Sequence, residues 1–185
     1  MTENAWKKYE DKSEIFAFCE DYRKFISGCK TERECVAEMV KRAEKAGFKN
    51  LDAVVNAGTE LKAGDKVYAD NMGKALALFL IGEEPMEKGM RILGAHVDSP
   101  RLDLKQNPLY EEAEQALLDT HYYGGVKKYQ WVTLPMALHG VVVKKNGTVL
   151  PIVIGEDADD PVVGISDLLI HLSGKQMEKN AKEVV

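Results

Sequence analysis

The period of the apolar residues changes once along this chain, and that change limits the folds open to it. Ile15, Phe18, Cys19, Tyr22, Phe25, Ile26 and Cys29 recur every three or four positions, so they share one helix face. Ser13 is placed to cap that helix and Gly28 lies near its end. A second helix starts at Thr31. Glu34, three residues on, completes a capping box, in which each side chain satisfies a backbone donor of the first turn. Cys35, Val36, Met39, Val40 and Ala43 continue the stripe, and Gly47 stops it as the residue just past the cap.

From Val54 the texture reads as strands. Lys66–Ala69 and Ala75–Ile81 flank the turn-like Asp70-Asn71-Met72-Gly73, which predicts a hairpin. Gly82-Glu83-Glu84-Pro85 reads as a loop. Met90–His96 is a short apolar run, expected to be a buried central strand. After Pro100 the chain reads mainly as β. Val141–Val143 and Val149–Ile154 bracket Asn146-Gly147, a strong hairpin signal. An acidic loop, Glu156–Pro161, follows. Ser166–Gln176 is expected to be a helix capped by Ser166, with Leu168, Leu169 and Leu172 on one side. Helices followed by strands suggest an α/β or α+β domain. No repeat, linker or low-complexity stretch interrupts the chain. The last residues, QMEKNAKEVV, contain no closing element and read as a cut.

Composition excludes several classes. Of 185 residues, 45% are apolar and 30% charged, a globular balance. No apolar run approaches a bilayer span, and the polar opening MTENAWKKYEDKSE lacks the apolar core of a secretory signal. A net charge of -5 argues against nucleic acid, which needs clustered cations. Cys19, Cys29 and Cys35 are odd in number and have no CxxC spacing. They are expected to be reduced thiols of a cytoplasmic protein, packed as small apolar residues on helices.

The chemistry concentrates at His96-Val97-Asp98. In a strand, residues i and i+2 point to the same face, so His96 and Asp98 project together. A carboxylate beside an imidazole can fix its tautomer and strengthen it as a metal ligand. The pair sits where a buried strand ends, the usual place for ligand sites in open α/β sheets. Alone, such a triplet reads as a structural histidine. Its surroundings change that reading. GAHVDSPRLDLK from Gly94, PLYE at Pro108–Glu111, HYYGGVKKYQW at His121–Trp131, ALHGVVV at Ala137–Val143 and IGEDADDP at Ile154–Pro161 occur in order. Together with the GF that ends the helical region and the hairpin around Tyr68-Ala69-Asp70-Asn71, they resemble the aspartyl aminopeptidase family of zinc metallopeptidases over essentially the whole chain.

The resemblance implies an enzyme that removes single, preferably acidic, residues from peptide N-termini. It implies two divalent metal ions, usually zinc, that activate water and polarise the scissile carbonyl, with a glutamate as general base. It makes His96 a zinc ligand and Asp98 the catalytic aspartate behind that ligand. The implied fold is the first part of a zinc-exopeptidase α/β domain (residues 1–100), followed by part of an inserted β-rich dimerisation domain (residues 101–185). Family members form large homo-oligomers, in which a histidine of the inserted domain reaches a neighbour's active site. His171, in DLLIHL, is the best match for it. The family's bridging aspartate, glutamate pair and second histidine have no counterpart after residue 103, so the polypeptide alone is expected to be inactive and to bind zinc weakly.

Other features have plainer readings. Glu83-Glu84 precedes the histidine and reads as a solvated turn. Glu156, Asp157, Asp159 and Asp160 lack the glycine and final glutamate of an EF-hand and read as a solvated loop. His121 and His139 read as packed or hydrogen-bonded. Tyr123-Gly124-Gly125 suits either close backbone approach to a substrate or a turn. Lys127 and Lys128 suit either steering of acidic peptides or solvation. Two rival readings remain: a related glutamyl or deblocking aminopeptidase, and a non-catalytic oligomerisation or structural module.

Overall fold

The computed structural model describes residues 4–185, so Met1–Glu3 of the polar opening run lie outside the described residues. The chain divides into two compact units, one running to Asp98 and the other from Ser99 to Val185. This division falls two residues before the change of texture at Pro100.

In the first unit, helix α1 covers Ser13–Gly28 and helix α2 Glu32–Lys45. Ser13 is the first residue of α1 rather than its cap, and its backbone N–H and hydroxyl both donate to the Asp11 carboxylate, at 2.8 and 2.9 Å. The capping box of α2 forms as expected. The Glu34 N–H donates to Thr31 Oγ1 at 3.3 Å, and the Thr31 N–H donates to Glu34 Oε2 at 2.9 Å. At the other end Gly47 takes φ +89°. Its N–H donates to the Glu44 carbonyl at 2.9 Å and the Phe48 N–H to that of Ala43 at 3.0 Å, which is a Schellman closure.

The strands begin later than the change of texture at Val54 predicts. Lys49–Asn50 is a two-residue strand, β1, and Leu51–Asn56 is a short helix, α3, capped by Asn50. The texture turns to β only with β2 (Lys66–Asn71) and β3 (Ala75–Leu80). β1 runs parallel to β2, and β2 antiparallel to β3, with Tyr68 opposite Leu78. The hairpin turns through Met72 at φ 59°. Asp70 Oδ1 accepts the Gly73 N–H at 2.8 Å. The core joins this sheet to α2: Cys29, Cys35, Val36, Ala43, Val67 and Tyr68 are buried. The Tyr68 hydroxyl donates to Glu44 Oε1 at 2.8 Å and fixes α2 against β2.

One expected element is absent. Met90–His96 forms no strand, and Ile92 and Leu93 are 78% and 100% exposed. A strand exists through its hydrogen-bond ladder. Among the described residues no strand pairs with this segment. Nor is Cys19 packed: it lies exposed on α1, which buries none of its side chains.

The second unit is β-rich. Strand β4 (Arg101–Glu112) pairs antiparallel with β5 (Gln115–Tyr123), and the register slips between Leu104 and Leu109. Pro108 lies in that interval, and proline cannot donate to a ladder. Strands β6 (Leu138–Val143) and β7 (Val149–Ile154) form the hairpin expected at Asn146-Gly147. The expected helix over Ser166–Gln176 does not form. Only Gly174–Met177 is helical (α4), and Leu168, Leu169, Ile170 and Leu172 are exposed. A short helix needs an apolar face buried against something, and here that face meets solvent.

Candidate active-site segment

His96 and Asp98 come together without a strand to align them. His96 Nδ1 lies 3.0 Å from Asp98 Oδ1 and 3.0 Å from the Asp98 carbonyl oxygen. The imidazole is 83% exposed, while the carboxylate beside it is 39% exposed. An acceptor at Nδ1 places the ring proton there, which leaves the Nε2 lone pair facing outward. That is the donor a divalent cation needs, so the chemistry of the pair fits a metal ligand. It supplies one ligand only. Among the described residues no group of three or more His, Cys, Asp or Glu side chains could hold a metal ion.

His171 belongs to the second unit and is not on a helix. It occupies the turn before Ser173, and its side chain is exposed. The other two histidines have local partners. His139 Nε2 pairs with Glu156 Oε1 at 2.8 Å, and His121 Nδ1 lies 3.4 Å from the Tyr122 carbonyl. The acidic loop closes on itself: Asp160 Oδ2 accepts the Gly155 N–H at 2.8 Å and the Asp157 N–H at 3.4 Å. Its carboxylates therefore serve the loop and the hairpin, beyond the plain solvation expected of them. Glu84 pairs with Lys88 in the exposed turn foreseen for it.

One cluster escaped the sequence reading. Arg101 donates through Nε to Asp103 Oδ1 at 2.7 Å, and its guanidinium lies 4.1 Å from the centre of the Tyr123 ring. The signal was available, because Arg101 and Asp103 are i and i+2 on a strand, as was assumed for His96 and Asp98. Gly124, at φ +76°, follows that tyrosine, and a Cβ there would come within 3.4 Å of Pro100 Cα. The glycine thus serves a close approach of two backbone segments of this unit. Lys128 is not simply solvated: its Nζ lies 5.6 Å from the Tyr122 ring centre.

The model of the aminopeptidase I zinc metalloprotease family, M18, matches residues 25–184. The chain belongs to this family. A probable M18 family aminopeptidase 1 of Clostridium acetobutylicum is 60% identical over 184 residues, which is 98% of this chain and 40% of the relative. The crystal structure of aminopeptidase I from that organism matches with a TM-score of 0.84 at 59% identity, over 99% of this chain and 40% of the other. The M18 aminopeptidase of Thermotoga maritima matches with a TM-score of 0.88 at 40% identity, over 99% and 39%. The M18 chain thus spans about 40% of the length of the curated relatives it matches. Its mixed helices and strands are a portion of the family's α/β fold, and its family is one of zinc-dependent hydrolases. More distantly, the yeast mApe1 dodecamer shares the fold at 22% identity with a TM-score of 0.63. No helix among the described residues is long and apolar enough to cross a membrane.

Proposed function

We propose that this chain forms one part of a zinc aminopeptidase that removes single, preferably acidic, residues from peptide N-termini. In this reading residues 1–100 are the first part of the catalytic domain and residues 101–185 part of a dimerisation domain. His96 ligates a metal ion through Nε2, and Asp98 holds its Nδ1. The complete site takes two divalent ions, which polarise a carbonyl and activate water. The remaining ligands and the general base come from sequence beyond this chain. His171, exposed on the second unit, serves the active site of a neighbouring subunit in a homo-oligomer. The dodecamer named for yeast mApe1 supports an oligomer of this kind. The compartment proposed is the cytoplasm.

The observation that carries the reading is the His96–Asp98 pair, with Nδ1 at 3.0 Å from the carboxylate and Nε2 left outward. The test joins this chain to the remaining portion of the Clostridium acetobutylicum relative and assays release of N-terminal aspartate, glutamate and leucine from short peptides. Zinc-dependent release, lost in H96A and preferring the acidic residues, is expected. A zinc-loaded, folded chimera that releases none of them would refute the reading. A preference for glutamate over aspartate would instead favour the glutamyl type, and a preference for leucine the deblocking type. One observation favours a second reading for the isolated chain: without a group of three metal-binding side chains among the described residues, it acts alone only as a structural or oligomerisation module.

A further inference from the structure

Lys144 to Thr148 join β6 to β7 and belong to neither strand. They contain Asn146-Gly147, the one Asn-Gly pair in the sequence. At such a pair the asparagine side chain and the next backbone nitrogen can react, because glycine puts no side chain in the way. Three hydrogen bonds hold this turn. The Gly147 N–H donates to the Lys144 carbonyl at 2.9 Å, the Thr148 N–H to Asn146 Oδ1 at 3.0 Å, and the Lys144 N–H to the Thr148 carbonyl at 2.8 Å. Lys145 and Asn146 keep negative φ, and Gly147 takes φ +83°. This is a type I turn over Lys145 and Asn146, followed by glycine in the left-handed position. Asn146 is exposed, and a Cβ on Gly147 would meet nothing within 4 Å. Solvent therefore reaches the pair, and the hydrogen bonds are what restrain it.

We propose that Asn146 is a deamidation site gated by this hairpin, unreactive while the turn is closed and converted when it opens. The reaction balances with water as its one co-reactant. The Gly147 nitrogen attacks Cγ of Asn146 and loses its proton. The side-chain nitrogen leaves as ammonia, and a five-membered succinimide forms. Water then opens the ring. Breaking the bond from the ring nitrogen to Cγ gives aspartate. Breaking its bond to the main-chain carbonyl carbon gives isoaspartate, in which the chain runs through Cγ. The closed turn blocks the first step in two ways. The Gly147 N–H is committed to the Lys144 carbonyl, so the nitrogen must give up that bond before it loses its proton. Attack also needs that nitrogen over the face of Cγ, whereas the turn directs it towards Lys144 and the bond from Thr148 fixes the plane of the amide. The consequences fall on the hairpin. Either product adds a negative charge beside Lys144 and Lys145. Isoaspartate also adds a main-chain atom, so the turn no longer matches the pairing of Val143 with Val149. The inference does not depend on the aminopeptidase reading.

The test incubates the 185-residue chain in mild alkali beside a synthetic KKNGTVL peptide, which has the same residues without the hairpin. Samples are digested with trypsin and weighed. The fragment from Asn146 to Lys175 contains no second asparagine and no glutamine, so a deamidation found there belongs to Asn146. Hydrogen exchange of the Gly147 amide is followed in parallel, since it needs the same bond to Lys144 broken. Deamidation in the folded chain should be slower than in the peptide by about tenfold or more. It should be slowed at least as much as the exchange is. Gly155→Ala, which strains the backbone just past β7, should raise both rates together. Conversion as fast in the folded chain as in the peptide overturns the proposal. So does deamidation that stays slow when Gly155→Ala has opened the Gly147 amide to exchange. The comparison of the unaltered chain with the peptide decides the question even if the variant does not fold.

Discussion

His96 Nδ1 stands 3.0 Å from Asp98 Oδ1, and this contact selects the ring nitrogen that can meet a metal. With Nδ1 occupied, only Nε2 faces outward, and one such nitrogen is a poor hold for zinc. Titration of the isolated chain with zinc should therefore show no tight stoichiometric site. Whatever weak binding occurs should perturb the His96 ring and fall in H96A. The Asp98→Asn variant should lose the fixed tautomer, which nitrogen-detected NMR of the ring reads directly. A tight one-to-one zinc site in the unaltered chain would show that its ligand set has been misjudged.

The reciprocal bonds of Thr31 and Glu34 make a cleaner stability prediction, because they involve no metal. Replacing Thr31 by Ala removes the oxygen that accepts the Glu34 N–H. An N-cap loss of this kind costs about 1 kcal/mol. Urea unfolding of T31A should shift to a lower midpoint with an unchanged slope. An unaltered midpoint would mean that α2 draws its stability from packing alone.

These two sites mark what the sequence could reveal. Caps and turns are local, since the groups that satisfy each other lie within four residues. Thr31, Gly47 and the Asn146-Gly147 hairpin were therefore legible without any knowledge of the fold. Asp98 meets His96 for the same reason, although the strand invoked to align them is missing. The failures concern burial, which depends on distant surfaces. The apolar run at Met90–His96 has the composition of a central strand, yet within this chain nothing pairs with it. The leucines around His171 have helical spacing but no face to cover. Arg101, Asp103 and Tyr123 were missed for another reason: the tyrosine reaches the arginine only through the β4–β5 register, in which the two stand opposite each other.

Alkali should weaken the first unit. Burial, foremost, raises the Cys29 thiol from its ordinary value near 9 to about 11. The hydrogen bond to Glu44, foremost, raises Tyr68 above its ordinary value near 10. In both cases the folded chain binds the proton more tightly than the unfolded chain. The Cys29 contribution is therefore fully present below pH 9 and is lost as pH rises through about 11, and that of Tyr68 is lost only above its ordinary value. For Cys29 the shift corresponds to roughly 2–3 kcal/mol. Denaturation midpoints should be level up to about pH 8 and then decline, and C29S should show a smaller decline. A midpoint that rose across this range would contradict both the burial of Cys29 and the hydrogen bond of Tyr68 to Glu44.

Gly155 offers a test of the second unit alone. Its φ is +102°, and a Cβ there would stand 3.0 Å from Ala137 Cα and 3.2 Å from the Met136 carbonyl oxygen. Both contacts are with backbone that cannot swing aside, and the φ itself disfavours a side chain. Gly155→Ala should destabilise the second unit by about 1–3 kcal/mol, the range for strain at such a position. Hydrogen exchange should report the loss in β6 and β7 while α2 keeps its protection. Equal loss in both units would mean that they unfold as one.

The segment before His96 makes a prediction about the longer protein. Leu93 is fully exposed and Ile92 nearly so, although their composition is that of a buried strand. The relatives are some two and a half times as long, since this chain covers 40% of them. If the remaining length supplies strands on either side, the amides of residues 90–98 gain a ladder and His96 gains a fixed position. In the isolated chain these amides should exchange with solvent as fast as an unstructured peptide. In the chimera with the Clostridium acetobutylicum remainder they should slow by several orders of magnitude, as core strands do. The same chimera should bind zinc tightly, and the two gains should appear together, because the strand that carries His96 is what holds the ligand in place. Tight zinc binding with residues 90–98 still exchanging freely would separate the site from the strand and defeat this account of it.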